Sequence, residues 1–385
     1  VRITYLTLKN WRNFRSVDVD VQERLFIVGP NASGKSNLLD ALRFLRDIAR
    51  VGGGLQEAVT TRGGIPRVRS LAARNFNHGR VQVAISLGTS KEPEEWSYLL
   101  DFTAEQRGQH RPVVTQELVR HRGVTVLSRP DDEDRQDEER LTQTALEQVN
   151  ANREFREVAD FLESIRYLHL VPQVVREPDR AGDRTEDPYG GDFLLRVART
   201  PDATRRRRLR RLNDALRLAV PQLDQLELVR DPGGKPHLQA RYQHWRVQGA
   251  RQDERDFSDG TLRLIGLLWS LLEGGKSAGP LLLEEPELSL HASVIRQLPT
   301  ILSRMQRTGG PQVLLSTHAG EILADEGLGL DETLVLFPGP EGTTALLASE
   351  IRDVKEFIDT GMNLEEILRP LTEPQDVNDL PRATA

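Results

Sequence analysis

Cysteine is absent from this chain of 385 residues, which excludes disulfides and thiolate metal sites and makes a cytoplasmic setting the default expectation. No apolar run approaches the 18 or so residues a membrane helix needs, so no membrane partner is expected. The first residues lack the basic, apolar and small-residue regions of a signal peptide. Lysine is scarce as well, with six lysines against forty-six arginines. Positive charge is in deficit overall: the net charge of −6 means that any attraction for nucleic acid must come from a local patch. There is no fixed-period repeat and no sustained heptad, which argues against a solenoid or a long coiled coil.

What is present describes a folded protein. A hydrophobic share of 38% with 29% charged residues is globular, and the length suits two or three domains or one large domain with insertions. One candidate basic patch stands out, Arg205, Arg206, Arg207, Arg208, Arg210 and Arg211, in a stretch with helical spacing through Leu209, Leu212, Ala215, Leu216 and Leu218. It reads equally as a DNA-binding face or as the solvated side of a helix in an arginine-rich chain. The acidic stretch 131–140 reads as an exposed loop leading into a helix.

The densest local signal lies at residues 25–49. Leu25, Phe26, Ile27 and Val28 form a buried strand, while Leu38, Leu42, Leu45 and Ala49 recur on one face of a helix. Between them Gly29, Pro30, Asn31, Ala32, Ser33, Gly34, Lys35 and Ser36, followed by Asn37, fit the phosphate-cradling pattern G-x-x-x-x-G-K-S in full. Glycines let backbone N–H groups curl around phosphate oxygens, and the helix N-terminus adds its positive end. Lys35 is placed to reach the terminal phosphates and Ser36 to offer a hydroxyl to Mg²⁺, a cation that prefers oxygen ligands. The plainer reading, a glycine turn with a solvated lysine, does not account for the flanking strand and helix.

Around this motif the first 23 residues alternate as two strands of a hairpin, and four further antiparallel strands are predicted between residues 81 and 129. Residues 51–64 and 174–192 read as loops, and 139–166 as a helical pattern broken near 150–152. Two strands flank the turn Asp231–Gly234. From residue 255 the strands become continuous apolar runs, at 280–285 and 312–316, as central buried strands do.

Three more constellations follow in that region. Three leucines lead into Glu284 and Glu285, placing one carboxylate beside a metal and the next beside an attacking water; acidic residues at a strand end can also simply face solvent. Ser258, Asp259 and Gly260 precede an apolar helix, with Ser258 as an N-cap. His318 follows a buried strand and can hydrogen-bond a γ-phosphate, although a histidine so placed is often structural.

Their order along the chain is that of an ABC-type ATPase head. The N-terminal stretch through residue 45 resembles RecF- and SMC-like proteins, and "FSDGTLRLIGLL", "LLLEEPELSLH" and "LLSTHAGEIL" resemble the OLD-like, SMC-related branch of AAA-type ABC ATPases. The resemblance covers mainly residues 1–50 and 255–320. It implies an α/β P-loop fold with a mixed central sheet, an N-terminal antiparallel lobe and an inserted α+β region. By domain, it implies the first part of the head at 1–80, an inserted lobe at 81–250, the second part at 251–350 and a helical tail at 351–385. It further implies ATP and Mg²⁺ as cofactors, with Gly29–Asn37 as Walker A, Ser36 and Glu284 on the metal, and Glu285, His318 and Lys35 as catalytic residues. Ser258, Asp259 and Gly260 become the signature that contacts nucleotide held by a second copy. Leu288, Ser289, Leu290 and His291 become the D-loop at the seam of a homodimer formed through an ATP sandwich. Asn13, Phe14 and Arg15 sit where relatives place residues near the nucleotide, and Gln173 is a Q-loop candidate.

The departures from the family pattern are specific. Glu284 stands where an aspartate is usual, and Asp259 where transporters carry glycine. The 67 residues after His318 contain no Asp-x-Asp, so no Toprim nuclease is expected. The function implied is a nucleotide-driven dimerisation switch that hydrolyses ATP and acts on DNA or a separate effector nuclease, in DNA repair or phage defence. The alternatives are a transporter's nucleotide-binding subunit, disfavoured by the roughly 220 positions between Ser36 and Ser258, and a non-hydrolysing ATP-binding scaffold. A GTPase is excluded by the lack of an Asn-Lys-x-Asp motif.

Overall fold

Alternation in the opening residues folds as a hairpin, β1 (Arg2–Trp11) against β2 (Phe14–Asp20), with Leu6 opposite Val19 and Leu8 opposite Val17. All four face inward and are buried. The computed structural model describes residues 1–70, 79–105, 110–177, 187–243, 250–273 and 279–373. Parts of the expected 174–192 loop and of the C-terminal tail therefore lie outside the described residues.

The chain divides into two units: residues 1–166, 279–282 and 312–385 form the first, and 167–278 with 283–311 the second. The centre of the first is β3 (Arg24–Val28), which runs parallel to β13 (Val313–Thr317) on one side and β14 (Thr333–Gly339) on the other. Leu25, Phe26, Ile27, Leu314 and Leu315 are at most 1% exposed, the double-sided burial that continuous apolar strands require. β15 (Gly342–Leu347) returns antiparallel to β14 and joins β2 in parallel. Beyond β1 come β4 (Val81–Gly88), β5 (Trp96–Ala104), β6 (Pro112–His121) and β7 (Val124–Arg129), all antiparallel.

With β8 (Arg166–Leu168) and β12 (Leu281–Glu284), the strand order is β7-β6-β5-β4-β1-β2-β15-β14-β3-β13-β12-β8. The four strands expected in an inserted lobe thus continue the hairpin's own sheet. Residues 81–166 go with the first unit and 167–250 with the second, because pairing of β4 to β1 ties the former to the N-terminus.

Helices of the first unit are α1 (Lys35–Ala49), α2 (Leu55–Thr60), α3 (Ile65–Val68), α4 (Asp132–Gln136), α5 (Arg156–Glu163), α12 (Gly320–Leu323), α13 (Val354–Asp359) and α14 (Leu364–Thr372). Helix α1 buries Leu38, Leu42, Phe44, Leu45 and Ile48 completely, and Phe44 packs 5.1 Å from Trp11 and 5.3 Å from Phe102. Asp40 on α1 holds the hairpin turn: Arg12 and Arg62 both donate to its carboxylate. Burial alone would raise the Asp40 pKa, but the Arg62 guanidinium, with Arg12 and Arg43, overrides it and keeps the carboxyl below its ordinary range.

The second unit holds a three-stranded antiparallel sheet, β9 (Leu223–Arg230), β10 (Pro236–Tyr242) and β11 (Ala250–Asp253), in the order β11-β10-β9. Its helices are α6 (Pro172–Arg176), α7 (Phe193–Arg199), α8 (Asp202–Ala219), α9 (Asp259–Glu273), α10 (Ala292–Ile295) and α11 (Leu298–Arg307). No helix among the described residues is long and apolar enough to cross a membrane.

The loop-rich 51–64 stretch contains α2. The 139–166 pattern breaks near 150–152 as expected, with α5 beyond the break; before it the chain folds as 3₁₀ and other turns instead of α-helix, since Glu117 takes the backbone N–H groups of Ala145 and Leu146 out of helical pairing. The acidic stretch is also less exposed than its composition predicts. Asp131 and Asp134 form a capping box on α4, and Asp134 is fully buried against Arg129, which also reaches the buried Glu117. Burial opposes ionisation of Asp134, yet hydrogen bonds from Arg129 and the Asp131 backbone bring its pKa down to about 2.

A depressed carboxylate contributes stability that is complete above its unfolded pKa and fades as pH falls through the folded value. Asp134→Asn is therefore expected to cost about 3–5 kcal/mol at neutral pH, by leaving Arg129 buried with fewer partners. In denaturant titrations between pH 4 and 2, the gap between wild type and variant is expected to narrow; a gap independent of pH would refute the assignment.

Candidate nucleotide site

The buried strand β3 ends at Val28 and α1 begins at Lys35, so six residues must reverse direction between them. Two of them adopt left-handed conformations, Ala32 at φ +62° and Gly34 at φ +101°. Gly34 stands at the N-cap of α1 without a side-chain cap hydrogen bond, at the helix end whose dipole favours an anion. A Cβ on Gly34 would lie 2.1 Å from Asn13 Nδ2, so only glycine fits this close approach.

Lys35 is 6% exposed, and its ammonium donates to the carbonyls of Gly29 (2.9 Å) and Pro30 (3.0 Å). The cation thus lies curled over the loop. His318, just past β13, places Nδ1 3.4 Å from Lys35 Nζ; since an ammonium can only donate, that nitrogen is the unprotonated one. A cavity of about 410 Å³ opens here, lined by Gly29, Pro30, Asn31 and His318 together with Glu365 and Arg369 of α14.

The presence of α14 at this wall was not foreseen, although its start is legible: Asn363 and Glu366 form a capping box. Ser36 is exposed on the first turn of α1. Of the three hairpin-turn residues, Asn13 touches the loop, Phe14 is wholly buried in the core and Arg15 is exposed and paired with Glu341. A buried Phe14 ring offers no face for a base to stack on.

The second unit carries the acidic pair. Leu281–Leu283 are buried and Glu284 and Glu285 emerge half-buried at the end of β12. The Tyr167 hydroxyl donates to Glu284 Oε2, and His169 Nδ1 lies 3.2 Å from the Glu284 carbonyl. Neither partner was anticipated; both come from β8 and its continuation. Glu285 has φ +44°, a left-handed conformation that costs energy in a residue other than glycine and recurs at functional sites. Arg263 on α9 has a depressed pKa because it is partly desolvated, while the charges of Asp259, Glu285 and Glu287 oppose the shift. It sits among this acidic group.

Ser258 caps α9, its Oγ accepting from the Thr261 N–H at 3.2 Å. Asp259 is held by Arg176 at 2.7 Å and meets Gln173 Nε2 at 3.4 Å. Gln173 therefore lies against the N-terminus of α9. Gly260 is the contact point with residues 288–291: a Cβ there would come within 2.3 Å of the Ser289 carbonyl. Ser289 itself has φ +64°, Leu288 and His291 are exposed, Leu290 is half-buried, and His291 caps α10.

The arginine run on α8 splits by face. Arg205 bonds the carbonyls of Ala198 and Thr200, and Arg208 lies 5.4 Å over the Trp269 ring. Arg206, Arg207, Arg210 and Arg211 are exposed.

As hard oxygen donors, the Ser36 hydroxyl and Glu284 carboxylate suit Mg²⁺, which keeps several waters and shares nucleotide phosphates instead of filling an all-protein cage. No cluster of three or more potential metal-binding side chains occurs among the described residues.

A family described as "AAA domain, putative AbiEii toxin, Type IV TA system" matches residues 25–324, and one described as "P-loop containing region of AAA domain" matches residues 3–45. The chain belongs to this AAA family. Among solved structures it is similar to an SMC head bound to the C-winged helix domain of ScpA, with 13% identity, 90% of this chain and 98% of that one covered, and a TM-score of 0.50. It is similar too to an SMC head with an extended coiled coil, bound to the C-terminal domain of ScpA and derived from Pyrococcus furiosus. That match has 12% identity, covers 93% and 99% of the two chains and also gives a TM-score of 0.50. These likenesses establish the fold, a P-loop ATPase head with a mixed sheet. No curated protein matches the sequence.

Gly260→Ala tests the close approach of the α9 N-terminus and the Ser289 backbone. The Ser289 carbonyl is backbone and cannot swing away, so the variant is expected to lose about 1–3 kcal/mol of unfolding free energy. Amide protection of residues 287–291 is expected to fall with it, as read by hydrogen exchange; an unchanged exchange pattern would show that the contact is not tight.

Proposed function

We propose that this protein is a Mg²⁺-dependent ATPase whose two copies close around two ATP molecules and open on hydrolysis. The observation that carries the reading is the convergence of the buried Lys35, His318 and the left-handed Gly34 on the N-terminus of α1. This is an arrangement fitted to a polyphosphate and to little else.

In this reading the loop N–H groups and Lys35 bind the β- and γ-phosphates, and the incoming phosphate oxygens replace the Gly29 and Pro30 carbonyls as partners of the ammonium. The metal ion, when bound, neutralises charge on the β- and γ-oxygens, and the Ser36 hydroxyl and Glu284 carboxylate would hold it. Tyr167 keeps the Glu284 carboxylate oriented. Glu285 takes a proton from the attacking water, and His318 donates a hydrogen bond to the γ-phosphate from its protonated nitrogen. Ser258 and the α9 N-terminus face the γ-phosphate of the second copy, with Leu288–His291 at the seam. Gln173, bound to Asp259, couples to the signature.

The output acts on DNA, directly or through a separately encoded effector nuclease, as in OLD-like and RecF-like relatives in repair or phage defence. The exposed Arg206, Arg207, Arg210 and Arg211 supply the local positive face that a net charge of −6 otherwise denies.

ATP turnover with and without duplex DNA, alongside light-scattering mass, tests this reading. Lys35→Ala is expected to abolish ATP-dependent dimerisation, and Glu285→Gln to lower turnover by at least about 100-fold, within the range of general-base effects, while accumulating an ATP-held dimer. Turnover at the wild-type rate in Glu285→Gln would remove that residue from the mechanism. Replacing the four α8 arginines with glutamate is expected to abolish duplex binding and flatten its salt dependence. Unchanged binding would exclude this face.

A further inference from the structure

Asn13, in the turn between β1 and β2, and Thr343, on β15, reach one atom of the phosphate loop. Asn13 Nδ2 donates to the Ser33 carbonyl at 2.8 Å, and Thr343 Oγ1 donates to the same carbonyl at 2.9 Å. The two side chains also bond each other, Asn13 Nδ2 to Thr343 Oγ1 at 2.7 Å. Asn37 Nδ2, one turn into α1, donates to Asn13 Oδ1 at 2.7 Å. Backbone ties hold the pair in place: the Thr343 N–H donates to the Asn13 carbonyl at 2.8 Å. A Cβ on Gly342 would come within 2.8 Å of that same carbonyl. Thr343 is 5% exposed, so this network is shielded from competing water.

The consequence lies on the far side of the peptide. A trans peptide is planar, so the Ser33 C=O and the Gly34 N–H point in opposite directions. Both lone pairs of the Ser33 oxygen are engaged by donors on the sheet side, which aims the Gly34 N–H the other way. Gly34 is free of side-chain sterics and would otherwise sample many peptide orientations.

The geometry points to Asn13 and Thr343 as positioning residues that preset the Gly34 N–H for phosphate, so that anion binding costs no peptide rotation. Asparagine suits the place because its amide donates to Ser33 and Thr343 while accepting from Asn37. Aspartate keeps the size but cannot donate, and sets a carboxylate against a carbonyl. Threonine at 343 is needed for its hydroxyl alone, and serine retains it. The inference rests on reading residues 29–36 as the nucleotide loop.

Calorimetric titration with ATP and with inorganic pyrophosphate, well below the melting temperature, tests it in Asn13→Asp, Thr343→Val, Thr343→Ser and Lys35→Ala. Asn13→Asp is expected to weaken both ligands by about tenfold or more, the scale of a lost buried hydrogen bond with its acceptor left unpaired. Thr343→Val is expected to weaken both by a smaller factor, and Thr343→Ser to restore them. Combining Asn13→Asp with Thr343→Val is expected to give less than the sum of the separate losses, since both act on one oxygen. A purely structural role would lower the melting temperature and leave the affinity of the folded protein unchanged, and that result overturns the inference. If Asn13→Asp does not fold, the Thr343 pair decides alone: equal affinities for valine and serine overturn it. Wild-type affinity in Lys35→Ala would instead overturn the nucleotide reading itself.

Discussion

A strand with parallel neighbours on both sides and apolar contacts on both faces has no freedom to shift, and β3 is such a strand. Its register to β13 and β14 places Val28 opposite Thr317 and Val335, so the point where the chain must turn is set by the sheet. Helix α1 is equally constrained, because its apolar face is buried from Leu38 to Ile48 and Asp40 ties it to Arg12 and Arg62. The loop between them is therefore stretched between two fixed ends. Its left-handed residues answer to that span, and the cation and histidine around it are placed by the ends of β3 and β13.

The second unit solves a different problem, the gathering of negative charge. Glu284, Glu285, Glu287 and Asp259 lie among neighbours that include Arg263, Arg176 and the Tyr167 hydroxyl. Carboxylates taken partly out of water are tolerable only with such partners. Here the cations come from α9, which carries Arg263, and from the short α6, which carries Arg176. The glycine at position 260 adds a steric contact, because it lets the Ser289 backbone close in.

Much of this was legible in residue order, and the limits have physical causes. The strand–loop–helix at 25–49 announces itself because a periodic apolar helix and a glycine-rich turn are both local signals. The β4–β7 strands were equally readable from alternation, but their membership in the hairpin's sheet was not, since pairing between β1 and β4 spans about eighty residues and leaves no local mark. Burial of Asp134 escaped notice because an acidic run looks solvated unless Arg129 and its partner Glu117 are known to face it. Tyr167 and His169 were invisible for the same reason: nothing near them in sequence points to Glu284. The run at 205–211 looked uniform, yet a helix sends its members to different faces, and two of them, Arg205 and Arg208, serve internal contacts.

Lysine scarcity acquires a further meaning once the side chains are placed. Lys9, Lys91, Lys235 and Lys355 are exposed, whereas Lys35 is folded against the loop carbonyls. An amine-directed reagent would therefore label these exposed lysines promptly, and its slow reaction at Lys35 would count the moments in which that side chain leaves the loop. The chain thus carries its own chemical clock for opening of the phosphate loop, with its exposed lysines as internal standards.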